Sequence, residues 1–341
     1  MQPMAGPTPV QHQMSLNETF FPPTPGVLRA IREAAEESHR TLDALATGLA
    51  GEIAKHYGVP TGDVLVGPGS AVLLQHLFST LTGPDSETVH AWPSWEAYPM
   101  MAANAGSATV RVPLREETHD LDAMAGAVTR RTRMVLLCNP NNPTGTAVRH
   151  SDVQRFLDRL PPDVVVVIDE AYRDFADTDA VAEGIELYRN DERVCVVRTF
   201  SKSYGLLSQR VGYLIGHERT LEPLRALQLF VRVSNTAQAA AAVALSEETE
   251  IRRRRDVTAA ERERLRELLL TQGWTVTPSQ ANFLWLPLAE GVEEFTQHCA
   301  DHGVLVCGKP GEGIRVTIAE REANDDFAEL AAAFRDRGSG P

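Results

Sequence analysis

The feature that most constrains this 341-residue chain is the character of its short apolar runs. Strand candidates fall at Thr88–Ala91, Thr109–Val112, Met134–Cys138, Val164–Ile168, Val194–Val197 and Val211–Ile215. Several of them are apolar throughout, where a strand with one wet face would alternate, so they are expected to be covered on both faces. Segments of helical spacing separate them: Ala71–Leu81, Leu121–Val128 and Ser151–Leu160, with Val27–Ser38 and Leu49–Tyr57 upstream. Strand and helix in alternation predict an α/β fold, with a mainly parallel sheet in a large three-layer domain.

After about Asn235 the texture changes. An Ala-rich helix (Thr236–Leu245) and a long charged one (Glu248–Leu270) precede strands near Phe283–Leu286 and Ile314–Ile318, which reads as a smaller α+β domain. The expected division is an N-terminal arm over 1–34, a large domain over 35–235 and a small C-terminal domain over 236–341. Arg252, Arg253, Arg254 and Arg255 sit among Glu250, Glu261, Glu263 and Glu267. Mixed signs at helical spacing read as a solvated face, not a nucleic-acid patch.

Charge narrows the function. With 46 acidic against 33 basic residues the net charge is −13, the wrong sign for general nucleic-acid binding, which rests on Lys and Arg at phosphates. No run of about 18 apolar residues is available to span a bilayer. The first fifteen residues lack the basic start and apolar middle of a secretory signal, so a cytoplasmic protein is expected. Cys138, Cys195, Cys299 and Cys307 show no CxxC spacing; Cys138 and Cys195 read as small core residues. His298 and His302 stand four apart on a helix, but with no third ligand in evidence no metal is expected. Only three of the 33 basic residues are lysine, Lys55, Lys202 and Lys309, the other 30 being arginine. In such a chain a surviving lysine is a candidate for chemistry that arginine cannot do, such as forming a Schiff base.

Ligands of open α/β sheets bind beyond the carboxyl ends of the strands, so the residues that follow each strand candidate point to the site. Val164–Ile168 runs into Asp169-Glu170-Ala171-Tyr172, and Met134–Cys138 into Asn139-Pro140-Asn141-Asn142-Pro143-Thr144-Gly145. Val194–Val197 leads to Ser201-Lys202. Gly67-Pro68-Gly69-Ser70 opens a helix whose first N–H groups form a natural phosphate cradle. A carboxylate, an amide, a phenol, a hydroxyl and a rare lysine beside an anion site match the needs of pyridoxal phosphate: an amine for its aldehyde, an acid for its ring nitrogen, and donors for its phenolate oxygen.

On these motifs the chain resembles the fold-type I pyridoxal-phosphate enzymes of the aspartate-aminotransferase superfamily, nearest to histidinol-phosphate aminotransferases, from Leu16-Asn17-Glu18 to Ile314-Arg315-Val316-Thr317. The resemblance implies that Lys202 forms the Schiff base and then moves the α-proton, and that Asp169 pairs with the ring nitrogen. It implies that Asn142 and Tyr172 hydrogen-bond the phenolate oxygen and that Trp95 stacks on the ring. Ser70, the Ala71 backbone, Ser201 and Arg210 are implied to hold the phosphate. Arg315, with Asn17 nearby, is implied to take the substrate carboxylate, a task suited to arginine's two-donor fork. A homodimer is implied as well.

The chain departs from the family pattern at four places. Thr41 stands where a tyrosine usually reaches the partner's phosphate, Ala71-Val72 replaces Asp-Glu, Cys307 replaces a common arginine, and the segment before Leu16 is short. These departures count against histidinol phosphate as the substrate. Arg232 is an extra cation that could face the substrate or solvent. The leading reading is an aminotransferase that moves an amino group from an L-amino acid to a 2-oxo acid. A decarboxylase, or a β/γ-elimination or replacement enzyme, keeps the same cofactor and differs only in which bond the site holds perpendicular to the ring. A cofactor-sensing regulator would need a DNA-binding module, and the acidic balance speaks against it.

Overall fold

Period-two geometry sorts the strand residues onto two faces, each with its own core. Val89, Val135, Leu137, Val166, Ile168, Val194 and Val196 fall in one buried cluster. Their neighbours Met134, Leu136, Cys138, Val165, Val167, Cys195 and Val197 fall in the other. Runs that are apolar throughout follow from this, since both faces are buried.

The computed structural model describes residues 9–41, 43–177, 179–227 and 233–338. In chain order the first elements are β1 (His12–Gln13), α1 (Pro25–Glu36), α2 (Thr47–Tyr57), β2 (Val64–Gly67), α3 (Ser70–Leu81), β3 (Glu87–Trp92), α4 (Ala97–Asn104) and β4 (Ala108–Pro113). Next come α5 (Leu121–Gly126), β5 (Thr132–Cys138), α6 (His150–Leu157), β6 (Val165–Asp169), α7 (Gly184–Asn190), β7 (Val194–Thr199), β8 (Gly212–Ile215) and α8 (Glu218–Leu227). The last are α9 (Asn235–Ser246), α10 (Glu248–Thr271), β9 (Phe283–Pro287), α11 (Val292–Asp301), β10 (Val304–Leu305), β11 (Cys307–Lys309), β12 (Gly313–Thr317) and α12 (Arg321–Gly338).

Seven strands form the large sheet in the order β2-β8-β7-β6-β5-β3-β4. All its pairings are parallel except those of β8, which runs antiparallel to both β2 and β7. Helices cover both faces. Leu73, Leu77 and Phe78 of α3, Tyr98 and Met101 of α4, and Leu221 and Leu224 of α8 pack on one. Residues of α1, α2, α6, α7 and α9 pack on the other. The result is a three-layer α/β body. Helix α1 starts cleanly because Thr24 caps it, its hydroxyl accepting from Val27 N, and Pro25 occupies the first turn, where no N–H is missed.

A second cluster, built on Leu284, Leu286, Phe295, Ile314, Val316 and Phe327, holds a three-stranded antiparallel sheet, β11-β12-β9, against α11 and α12. The N-terminal β1 pairs in parallel with β10 beside it, and Met14 is buried in this cluster. Ala237, Ala240, Ala241 and Ala244 of α9 are buried in the large core, against α1.

The reading of the Arg252–Arg255 run needs correction. Arg252 and Arg253 lie over half exposed and pair within their own helix. Arg254 is only 2 % exposed and points inward, donating to the carbonyls of Ser203 and Tyr204 at 3.3 Å and of Pro22 at 2.7 Å, with Glu250 beside it. A full helical turn cannot keep four consecutive residues on one face. Arg232 lies outside the described residues.

Candidate active site

Parallel strands deliver their C-terminal ends to one edge of the sheet, and the candidate residues collect there. Among the described residues, Asn17, Ser70, Ala71, Trp95, Asn142, Asp169, Tyr172, Ser201, Lys202, Arg210 and Arg315 all line one cavity of about 280 Å³. Leu16, Tyr98, Cys138, Thr199 and Leu207 line it too. Lys55 is exposed on α2, away from this cavity.

Asp169 is the last residue of β6 and faces the α3/α4 side, in step with Val165 and Val167. The residue is 3 % exposed, and its carboxylate accepts from the Tyr98 hydroxyl at 2.8 Å and from Ala171 N at 3.1 Å. Burial pushes its pKa up to about 6, against the pull of those two hydrogen bonds. Tyr98 is fully buried and meets the Trp95 ring edge-on at 5.5 Å. Sequence reasoning missed Tyr98; Trp95 stands just before the cap of α4, and Tyr98 N donates to its carbonyl at 3.1 Å, a turn that brings the two rings together.

Lys202 lies in the loop after β7. Its Nζ donates to the carbonyls of Leu16 at 3.2 Å and Asn17 at 3.1 Å. Burial lowers its pKa to about 8; the Arg315 and Arg210 charges add to that and Glu18 opposes it. Two carbonyls and no carboxylate partner leave this amine able to lose its proton near neutral pH. The same N-terminal segment serves Tyr172. Asn17, at φ 54° in the left-handed region that asparagine tolerates, donates from Nδ2 to the Tyr172 hydroxyl at 2.9 Å. Because Tyr172 accepts there, its own proton is free to be given elsewhere. Burial raises its pKa to about 12, so the proton stays available.

Arg315 on β12 reaches across from the smaller sheet. It is 7 % exposed, donates from Nη1 to Asn142 Oδ1 and from Nη2 to the Ser15 carbonyl at 2.6 Å, and keeps a buried Nε without a partner. With its Oδ1 so engaged, Asn142 turns its NH₂ group to other acceptors. Cys307, in the place of the family's arginine, is the register partner of Arg315.

The cavity also takes in the start of α3, which begins at Ser70 with no side chain capping its first N–H groups. The exposed Arg210 guanidinium lies over Gly69, where a Cβ would come within 2.7 Å of Nη2; Gly69 also has φ 88°. Only glycine lets the guanidinium approach this helix start. Free N–H groups, the Ser70 and Ser201 hydroxyls and an arginine make a donor set for a phosphate. A buried carboxylate, two free donors and an amine of lowered pKa share one cavity with that cradle and Arg315. This donor set fits pyridoxal phosphate.

Fold and donor set define a fold-type I pyridoxal-phosphate enzyme, and sequence comparison narrows the class. The model of the family described as "Aminotransferase class I and II" matches residues 11–331, and the chain belongs to that family. An aromatic amino acid aminotransferase of Streptomyces coelicolor is 46% identical over 335 residues, covering 98% of this chain and 93% of the relative. One from Thermobifida fusca is 46% identical over 334 residues at the same coverage. Among solved structures, histidinol-phosphate aminotransferase from Sinorhizobium meliloti in complex with pyridoxal-5'-phosphate superposes with TM-score 0.89 at 26% identity, covering 97% of this chain and 96% of that one. The chain is a pyridoxal-phosphate-dependent aminotransferase. It acts on amino acids and 2-oxo acids.

Two other regions carry less. His298 and His302 touch ring to ring at 4.8 Å, His298 against Phe334 and the Leu330 carbonyl. No group of three or more metal-ligating side chains occurs among the described residues, and no helix among them is long and apolar enough to cross a membrane.

Proposed function

We propose that this aminotransferase takes its amino group from an aromatic L-amino acid and passes it to a 2-oxo acid, with Lys202 as the base that removes the substrate's α-proton. The observation that carries the reading is the placement of Arg315, with its unpartnered Nε, in the same cavity as the Lys202 amine. The names of the relatives at 46% identity support the aromatic donor, as do the apolar walls supplied by Leu16, Trp95 and Leu207.

Bound pyridoxal phosphate supplies an electron-withdrawing ring that accepts the charge left when a substrate proton departs. This chain's residues do the rest. Asp169 would hold a proton on the ring nitrogen, and Tyr172 and Asn142 would donate to the phenolate oxygen. Ser70, the Ala71 N–H, Ser201 and Arg210 would hold the phosphate, and Trp95 would pack on the ring. Arg315 orients the substrate by its carboxylate, with Asn17 setting both Tyr172 and the carbonyl that holds Lys202. Lys202, neutral in part near its pKa of about 8, would take the substrate's α-proton onto its Nζ.

The same proposal includes a homodimer, a cytoplasmic location, and division into an arm, a large domain and a small domain near the expected bounds 1–34, 35–235 and 236–341, moved so that α1 and α9 go with the large core on which they pack. Steady-state kinetics with phenylalanine, tyrosine, tryptophan, aspartate and histidinol phosphate test the donor. An aromatic kcat/KM at least about tenfold above the others, a gap of about 1.4 kcal/mol in transition-state binding, is expected. A preference for histidinol phosphate or aspartate overturns the aromatic assignment. Borohydride reduction and peptide mapping that found the cofactor on Lys55 or Lys309 would overturn the role of Lys202.

A further inference from the structure

Lys309 is one of three lysines in the chain and has no part in the chemistry above. It ends β11, on a hairpin that turns through Pro310-Gly311-Glu312 into β12. The tip of this hairpin meets the large body at two reciprocal contacts. Lys309 Nζ donates to Glu96 Oε2 at 2.9 Å, and Trp92 Nε1 donates to Glu312 Oε1 at 2.9 Å. Each body thus offers the other one carboxylate and one donor.

What stands behind the partners gives the contact its meaning. Glu96 directly follows Trp95, and both line the cavity. Lys309 is the register partner of Gly313, two residues before Arg315 on β12. Burial would raise the Glu96 carboxyl, but the Lys309 hydrogen bond and the Lys309 and Arg315 charges outweigh it and hold the group below its ordinary range. The pair therefore joins the wall bearing Trp95 to the wall bearing Arg315. Its side chains are 55% and 14% exposed at Glu96 and Lys309, so it adds little to global stability. Its reach is local, and the local geometry is the spacing between two substrate-facing walls.

We propose that the Glu96–Lys309 pair is a positioning bridge that holds the Arg315 hairpin at its distance from the Trp95 wall, which its own packing on Tyr98 keeps in place, and so tunes substrate affinity without disturbing the cofactor's hold. The proposal rests on the reading of Arg315 as the carboxylate-binding residue.

A double-mutant cycle on the holoenzyme tests it, with Glu96→Gln, Lys309→Met, the pair together, and the swap Glu96→Lys with Lys309→Glu. KM and kcat for one amino donor, the cofactor dissociation rate and Tm are read for each. Each single variant is expected to raise KM about two- to fivefold, the range of a partly exposed ion pair, with kcat, cofactor release and Tm unchanged. The double variant should be no worse than either single, and the swap should recover at least half of the loss. Added salt should raise the KM of the parent enzyme more than that of the variants. Additive single effects, an unchanged KM, or faster cofactor release alongside the KM change would each overturn the bridge. Arg315→Lys separates the two levels. If it raises KM while the bridge variants do not, the bridge alone fails; if it leaves KM unchanged, the reading of Arg315 fails and the bridge with it.

Discussion

Replacing Tyr98 by phenylalanine removes one oxygen from a fully buried ring, and that oxygen is the shorter of two hydrogen bonds to the Asp169 carboxylate. A hydrogen bond to a charged group is worth about 1.5–3 kcal/mol. One pKa unit corresponds to about 1.4 kcal/mol, so Asp169 should rise by about one to two units beyond its present value of about 6. The sign follows from linkage. A carboxyl whose folded pKa exceeds its unfolded one favours the fold at low pH, and that contribution is lost as pH rises through the folded pKa. In the parent apoprotein the loss is spread between about pH 4 and about pH 6; in the variant it continues for about one to two units more. Urea unfolding of the apoproteins should therefore show little difference near pH 5 and a deficit of about 1.5–3 kcal/mol in the variant near pH 8. Cofactor binding should mirror this. The acid limb of an absorbance titration should move up by about one to two pH units, with affinity near pH 7 reduced about tenfold. An unmoved acid limb together with equal stability deficits at both pH values would refute the reasoning, because the phenol would then not act through the carboxylate.

Four further outcomes are expected. Lys202→Met should make the apoprotein more stable by about 3 kcal/mol near pH 7, since a lysine lowered to about 8 costs the fold its full amount below that value and is relieved as pH climbs toward 10.5; urea unfolding at both ends of that window checks it. Gly69→Ala should weaken cofactor binding by about tenfold or more by pushing Arg210 from the helix start and straining a φ of 88°, as a cofactor titration would show. Arg254→Met should cost about 3 kcal/mol in urea unfolding because three carbonyls and Glu250 lose a buried partner, whereas Arg253→Met on the exposed side should change nothing measurable. Arg315→Lys should raise KM for the amino acid about tenfold or more, with cofactor affinity unchanged in a titration.

The centre of the large sheet was legible because β5, β6 and β7 are buried on both faces. Each run declares itself without reference to a partner, and strand ends announce the loops that follow. Asp169, Asn142 and Lys202 were readable for that reason, as residues placed where parallel strands stop. Strand β2 was not, since Val64–Gly67 is too short to show a period. The reversed direction of β8 depends on pairing partners, which a local pattern does not encode. Tyr98 and Asp169 lie 71 positions apart and meet only once α4 packs on the sheet. Arg254 shows the same limit from the other side. A helix rich in both charges has no apolar stripe to tell its inward face, so the loop after Lys202 decides which arginine is buried.

The central claim is that this site transfers an amino group and leaves the substrate carboxyl in place. It is tested most directly by incubating the holoenzyme with phenylalanine labelled with ¹⁵N at the amino group and ¹³C at the carboxyl, plus a 2-oxo acid, and following both labels by mass spectrometry. The account predicts ¹⁵N in the amino acid formed from the acceptor and all of the ¹³C retained in the phenylalanine-derived oxo acid. Release of ¹³CO₂, or ammonia carrying the ¹⁵N, would contradict it.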